Sequence, residues 1–187
     1  MLNAIHSVAI VGAGMAGLAA AIDLAHAGVA VTLYDKGRRP GGRIATRVKE
    51  GVAFNHGAQF AAARGQAFAD LIAELQGERC AFNWRAAGHN GRRFSFAPGM
   101  SALPALLAER ATAAGARLHL ARQVIYLHAS ANGWRLRHAA SAETKPGTIS
   151  DIGGELAGPF DAIVFAIPSV QAAPLLALAA PALAAET

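Results

Sequence analysis

The sequence predicts an α/β fold whose parallel sheet starts near the N-terminus, and three observations predict it. A β-branched run, Val8 to Val11, leads directly into Gly12-Ala13-Gly14-Met15-Ala16-Gly17. An alanine-rich stretch, Leu18 to Ala27, then reads as a helix, and after Gly28 a second apolar strand, Val29 to Tyr34, ends at Asp35. Residues 7 to 36 thus form a βαβ unit, and the right-handed crossover makes its two strands parallel neighbours.

Bulk properties bound the rest. With 187 residues, 53% of them hydrophobic and 16% charged, the chain has enough apolar material for one core with a small second lobe, and too much for a disordered segment. A single cysteine, Cys80, excludes an internal disulfide framework and cysteine-rich metal sites, which makes the cytoplasm the expected compartment. No basic region precedes the first apolar run, so no signal peptide is expected. Ala162 to Ala185 is uncharged, but Pro168, Pro174 and Pro181 divide it, which predicts a buried strand and a short helix and no membrane span. The net charge of +5 comes from scattered basic residues; it suits a phosphate-bearing small molecule better than nucleic acid.

Each glycine of the first motif has its own task. Gly12 permits the tight turn, Gly14 lets the backbone approach a pyrophosphate, and Gly17 lets the helix pack on the sheet; Ala13, Met15 and Ala16 complete the cradle at the helix N-terminus. Asp35 stands 18 residues beyond Gly17 at the end of the second strand, where its carboxylate can accept hydrogen bonds from ribose hydroxyls, with Lys36 beside it. This context predicts a dinucleotide site. Further on, Arg39-Pro40-Gly41-Gly42-Arg43 is either a solvated basic turn or a loop that brings backbone and guanidinium to a diphosphate, with Arg43 as the contact.

Later elements follow by local chemistry. Ser101 is a candidate N-cap for a helix from Ala102 to Ala114. Val124 to Leu127 and Trp134 to Arg137 read as strands joined through Asn132-Gly133. Residues 139 to 158, including Thr144-Lys145-Pro146-Gly147, read as an irregular excursion, and Asp161 to Pro168 as a further core strand. Trp84 and Trp134 are expected to pack, with facing a substrate as the alternative for Trp84 in the lobe between Ala61 and Ala97. His6, His26, His89, His119, His128 and His138 form no metal-ligand spacing with one another or with Cys80, so no metal is assigned.

In order, these motifs resemble the two-glycine-motif FAD flavoproteins of the amine oxidase and phytoene desaturase superfamily, where a glycine-rich turn, an acidic residue and RxGGR succeed one another. Gly41 to Arg47, Phe54-Asn55-His56-Gly57-Ala58-Gln59-Phe60 and Pro98-Gly99-Met100-Ser101-Ala102-Leu103 resemble its renalase-like bacterial branch more closely; Asn55 stands where that branch usually has Asp. The resemblance implies a Rossmann-like FAD/NAD(P)-binding α/β domain, made of residues 1–60, 98–138 and 159–187, with part of a smaller substrate lobe at 61–97. It implies non-covalent FAD, held by Gly12 to Gly17, Asp35, Lys36, Gly41, Gly42, Arg43, Ala58 and Gln59, with the backbone of Val124 facing adenine and Ala166 beside the cofactor. His56, Gln59 and Phe60 are the candidates near the flavin ring. The implied reaction is hydride transfer from a reduced small molecule, an isomeric dihydro-NAD(P) or an amine, to flavin, with reoxidation by oxygen to hydrogen peroxide.

Family members continue past the strand ending in Ala-x-Pro to a Gly-Asp segment that this sequence lacks. A truncated nucleotide-binding fragment or module without turnover is therefore the alternative. An NAD(P)-dependent dehydrogenase ranks last, because it has no use for RxGGR.

Overall fold

The computed structural model describes residues 4–84, 93–141 and 153–180. In chain order the elements are β1 (Ser7–Val11), α1 (Met15–His26), β2 (Ala30–Tyr34), β3 (Thr46–Lys49), β4 (Val52–Asn55), β5 (Ala61–Ala62), α2 (Gln66–Gly77), β6 (Ala81–Asn83), β7 (Arg93–Phe96), α3 (Ala102–Ala113), β8 (Arg117–His119), β9 (Arg122–Ser130), β10 (Gly133–Ala140), β11 (Glu155–Phe160), β12 (Ala162–Phe165) and α4 (Ser169–Ala179). They fall into two compact units, residues 1–42 with 107–187, and residues 43–106. The expected lobe at 61–97 lies inside the second.

The first unit is a Rossmann-like α/β fold. Its sheet runs β12-β1-β2-β8, with all three pairings parallel. Val8, Ala9, Ile10 and Val11 are buried on both faces, as a central parallel strand requires. Leu18 and Ala21 of α1 are fully buried in the same unit. On another flank, Ala9, Val11 and Tyr34 cluster with Val124, Leu127, Leu136 and Phe160 of an antiparallel β11-β10-β9 sheet, with Trp134 packed at its border. Asp161 secures the edge: its carboxylate accepts the amide hydrogens of His6 and Ser7, each at 2.8 Å, joining the start of β12 to the start of β1. These bonds hold its carboxyl below the usual range.

Two local expectations need correction. The expected excursion contains a strand, for β11 pairs with β10; Gly158 and Pro159 hide it from sequence reading, and Gly158 sits at φ +108 where a side chain would meet the Trp134 carbonyl. Thr144 to Gly147 lie outside the described residues, as do His89 and Pro181. The β9–β10 hairpin turns at Ala131-Asn132, since Ser130 already faces Gly133, whose φ of +109 absorbs the strain of the turn. The strand and short helix expected after Asp161 are β12 and α4, with Pro174 inside α4, where it leaves the Val170 carbonyl without an intrahelical donor. Among the described residues no helix is long and apolar enough to cross a membrane.

The second unit holds the β3–β4 hairpin and a three-stranded antiparallel sheet, β5-β7-β6. The hairpin closes through Glu50 and Gly51, at φ +51 and +78, the two positive values a tight hairpin turn demands. Phe94 and Phe96 on one face of β7 are buried in this unit, as are Ile72 and Leu75 of α2.

Candidate dinucleotide-binding site

The loop after β1 is set by backbone geometry. Gly12 adopts φ +111 and donates its amide hydrogen to the Tyr34 carbonyl at 2.8 Å; a Cβ there would stand 2.8 Å from the Ala166 carbonyl oxygen and from Ile167 Cγ2. At Gly17 a Cβ would collide with the Gly12 carbonyl oxygen, so the close approach of α1 to the loop depends on this glycine. Gly14 differs. Its φ of −77° suits any residue, and nothing lies within 4 Å of the position a Cβ would take. Packing within the protein therefore gives no reason for glycine at 14, whereas approach of an external group does. Gly14 is the N-cap of α1, and no side chain caps that end or places a carboxylate in its first turn, so the outward N–H groups around Met15 and Ala16 are left for an anion.

Asp35 closes the loop from the side. Its Oδ2 accepts the Ala13 amide hydrogen at 2.6 Å and its Oδ1 that of Gly37 at 2.6 Å. Each oxygen keeps lone-pair capacity for a further donor, which is what a ribose hydroxyl requires. Lys36 is exposed, its Nζ 3.3 Å from Gln171 Oε1. Gly41 and Gly42, at φ +124 and +53, bring the second glycine pair onto the first: the Gly41 amide donates to the Ala13 carbonyl at 2.8 Å, and a Cβ on Gly42 would stand 3.9 Å from Gly14 Cα. The two motifs, far apart in sequence logic, are one structure. Val124 is buried in β9, and the Ala166 amide donates to the Val11 carbonyl at 2.8 Å, next to Gly12.

Beneath the Asp35 turn lies a group that sequence reading missed. The Tyr34 and His119 rings stack at 5.0 Å, and the His138 ring lies 4.8 Å from Tyr34 and 6.0 Å from His119. His138 is only 4% exposed, and its Nδ1 has no hydrogen-bond partner. Burial lowers its pKa most; Glu155 works against that shift, while Arg122 and His119 add to it. Arg122 and Glu155 pair with each other at 3.1 Å. Burial, reinforced by Glu155, pushes the Tyr34 hydroxyl upward. No spacing rule would have joined residues 34, 119 and 138.

The remaining expected site residues belong to the second unit. Arg43, His56 and Gln59 are exposed there. The Arg43 carbonyl accepts the Ala58 amide hydrogen at 2.9 Å, and a Cβ on Gly57 would collide with the same carbonyl, which explains the glycine after His56. Phe60 packs against Trp84 at 5.0 Å between ring centroids. Asn55 is engaged rather than idle: its Oδ1 accepts from Thr46 Oγ1 at 2.8 Å and from the Met100 amide at 3.0 Å, and Thr46 Oγ1 accepts the Ser101 amide at 3.0 Å. An amide oxygen thus provides the acceptor that a carboxylate would offer at this position. Among the described residues no group of three or more His, Cys, Asp or Glu could hold a metal ion.

The class follows from this geometry. Residues 10–75 match the family model of the NAD(P)-binding Rossmann-like domain, which spans the glycine-rich loop, Asp35 and the second glycine pair. Among solved structures, the chain is similar to a putative protoporphyrinogen oxidase from Exiguobacterium sp. 255-15, with a TM-score of 0.64 and 15% identity over 91% of this chain and 61% of that one. It is also similar to the Diels-Alderase PyrE3 of pyrroindomycin biosynthesis, with a TM-score of 0.54 and 18% identity over 88% of this chain and 32% of that one. AlpK gives a TM-score of 0.54 and 18% identity over 87% and 31%. What is shared with all three is the fold, and this chain spans between 31% and 61% of their lengths.

Proposed function

We propose that the first unit binds FAD non-covalently and that the chain belongs to a cytoplasmic FAD-dependent oxidoreductase of the renalase-like or amine oxidase type. The observation that carries this reading is the contact between Gly41 and Ala13, which lays a second glycine pair against the phosphate-binding loop. A site for a nicotinamide dinucleotide alone has no need of that pair. The open space at Gly14 and the uncapped N-terminus of α1 fit a diphosphate.

In this reading the amides around Gly14, Met15 and Ala16 hold the diphosphate, and Asp35 accepts from the ribose, with Lys36 alongside. Arg43 adds its guanidinium to the diphosphate, Gly42 clears the approach, the Val124 backbone faces adenine and Ala166 lies beside the cofactor. Ala58, Gln59, His56 and Phe60 orient the flavin ring. FAD, when bound, would supply a two-electron acceptor for hydride from a reduced substrate such as an isomeric dihydro-NAD(P) or an amine, with reoxidation by oxygen to hydrogen peroxide drawing its second proton from solvent or the substrate amine. The protein binds, orients and excludes water.

The test is the absorption spectrum of the purified chain after incubation with FAD and removal of the excess. Retained flavin bands with a 1:1 stoichiometry are expected; a folded chain that retains none overturns the reading. A second reading is a nucleotide-binding module without turnover, since the family model matched by residues 10–75 is that of the NAD(P)-binding Rossmann-like domain. It predicts retained flavin that neither amines nor isomeric dihydro-NAD(P) can bleach under anaerobic conditions.

A further inference from the structure

The second unit presents a sheet face of unusual composition. Along β7, Phe94 and Phe96 are buried, so the strand's alternation turns Arg93 and Ser95 to the opposite face. Cross-strand register puts Ala62 of β5 against Arg93 and Phe82 of β6 against Ser95. Two residues before Ala62 and two after Phe82, the same alternation brings Phe60 and Trp84 to this face. Their rings lie 5.0 Å apart, and the Arg93 guanidinium carbon sits 4.4 Å above the Phe60 ring and 6.0 Å from that of Trp84. Phe82 is 46% exposed.

The Arg93 side chain has no carboxylate among the described residues. A guanidinium lying on an aromatic face is held by its flat side, while its N–H donors project from its edge in a fixed fork. That fork matches a carboxylate bidentately, and among the described residues no carboxylate uses it. The flanking rings offer π surface of the kind on which flat molecules stack.

We propose that this face of the β5-β7-β6 sheet is a binding site for a small planar aromatic carboxylate, its ring stacked on the Phe60 and Trp84 surfaces and its carboxylate paired with Arg93. The site lies wholly within residues 43–106 and requires no dinucleotide. It shares Phe60 with the FAD reading, but that reading is carried by Gly41 and Ala13 of the first unit, so ligand titration without FAD and flavin retention fail separately.

The experiment follows the indole N–H resonance of Trp84 in the full chain, assigned with Trp134→Phe, during titration with 2-naphthoate without added FAD. A saturable shift of the Trp84 resonance alone is expected. The Arg93→Gln variant should bind at least tenfold more weakly, Arg93→Lys several-fold more weakly, and 2-naphthamide and cyclohexanecarboxylate each several-fold more weakly than 2-naphthoate with the native chain. Dispersed amide spectra of both variants establish that they fold. The proposal is overturned if the Trp84 resonance does not saturate, if Arg93→Gln in folded form binds 2-naphthoate as well as the native chain, or if the neutral amide binds equally.

Discussion

Gly41 donates its amide hydrogen to the carbonyl of Ala13 at 2.8 Å, so the loop after the second strand rests on the loop after the first. Gly41 reaches that position with φ +124, which a side chain rarely permits. The proposed dinucleotide cradle is therefore made by two glycine motifs acting on each other, and its parts can be separated by mutation.

Gly14 and Gly17 should respond in opposite ways. Gly17→Ala drives a Cβ into the Gly12 carbonyl and should cost about 1–3 kcal/mol, the usual range for overpacking. Gly14→Ala meets open space at an ordinary φ and should change stability by less than about 1 kcal/mol, since only the cap residue differs. FAD retention should nevertheless fall at least tenfold in Gly14→Ala. Thermal melts and flavin titration measure the two effects; equal retention by Gly14→Ala and the native chain would remove Gly14 from the proposed phosphate site.

Asp35 supports the loop as well as any ribose. Asp35→Ala removes the acceptor of two short bonds, from Ala13 and Gly37, and should cost about 1–3 kcal/mol in denaturant unfolding. Asp35→Asn keeps an acceptor for only one of those donors, and should fall between native and alanine. Both should weaken FAD binding, alanine more. Native stability in Asp35→Ala would show that the two bonds add nothing to the loop.

Asn55 should tolerate the acid and not the methyl. Asn55→Asp preserves the acceptor for Thr46 and Met100, whereas Asn55→Ala strands the Met100 amide and should lose about 1–3 kcal/mol. Chemical denaturation of the three chains ranks them. Alanine as stable as asparagine would mean that the Met100 amide finds another partner.

His138 should make stability depend on pH. Its pKa is lowered in the folded state, so below the unfolded value of about 6.5 the unfolded chain takes up a proton that the folded chain resists. The stability it supports is complete above that value and declines as pH falls toward the folded pKa. His138→Phe should flatten the stability curve between neutrality and moderately acidic pH, leaving carboxylates such as Asp161 to govern the lower range. Parallel curves for the two proteins would refute the assignment to His138.

What the sequence announced was local. The βαβ opening is read from glycine spacing because each glycine answers a constraint within a few residues, and the structure adds the reasons: a collision at Gly17, a positive φ at Gly12, open space at Gly14. The antiparallel core was legible only in part. β9 was visible through Val124-Ile125 and β10 through the apolar alternation of Trp134 and Leu136, but β11 carries Gly158-Pro159 and gains its identity from pairing with β10. The hairpin tip slipped by a residue because Asn132-Gly133 favours one local turn, while the register of the strands selects another.

The sequence by itself determined the parallel α/β class, the order of the motifs and the residue types of the dinucleotide loop, since these depend on backbone chemistry over short separations. Tertiary structure alone decided which of those residues meet. It set Gly41 on Ala13, gave Asn55 its partners at Thr46 and Met100, buried His138 beside Tyr34 and His119, and gathered Phe60, Trp84 and Arg93 onto one face. These contacts join residues distant in the chain, and they exist only once strands have chosen their neighbours and registers, a choice made by the packing of the whole unit.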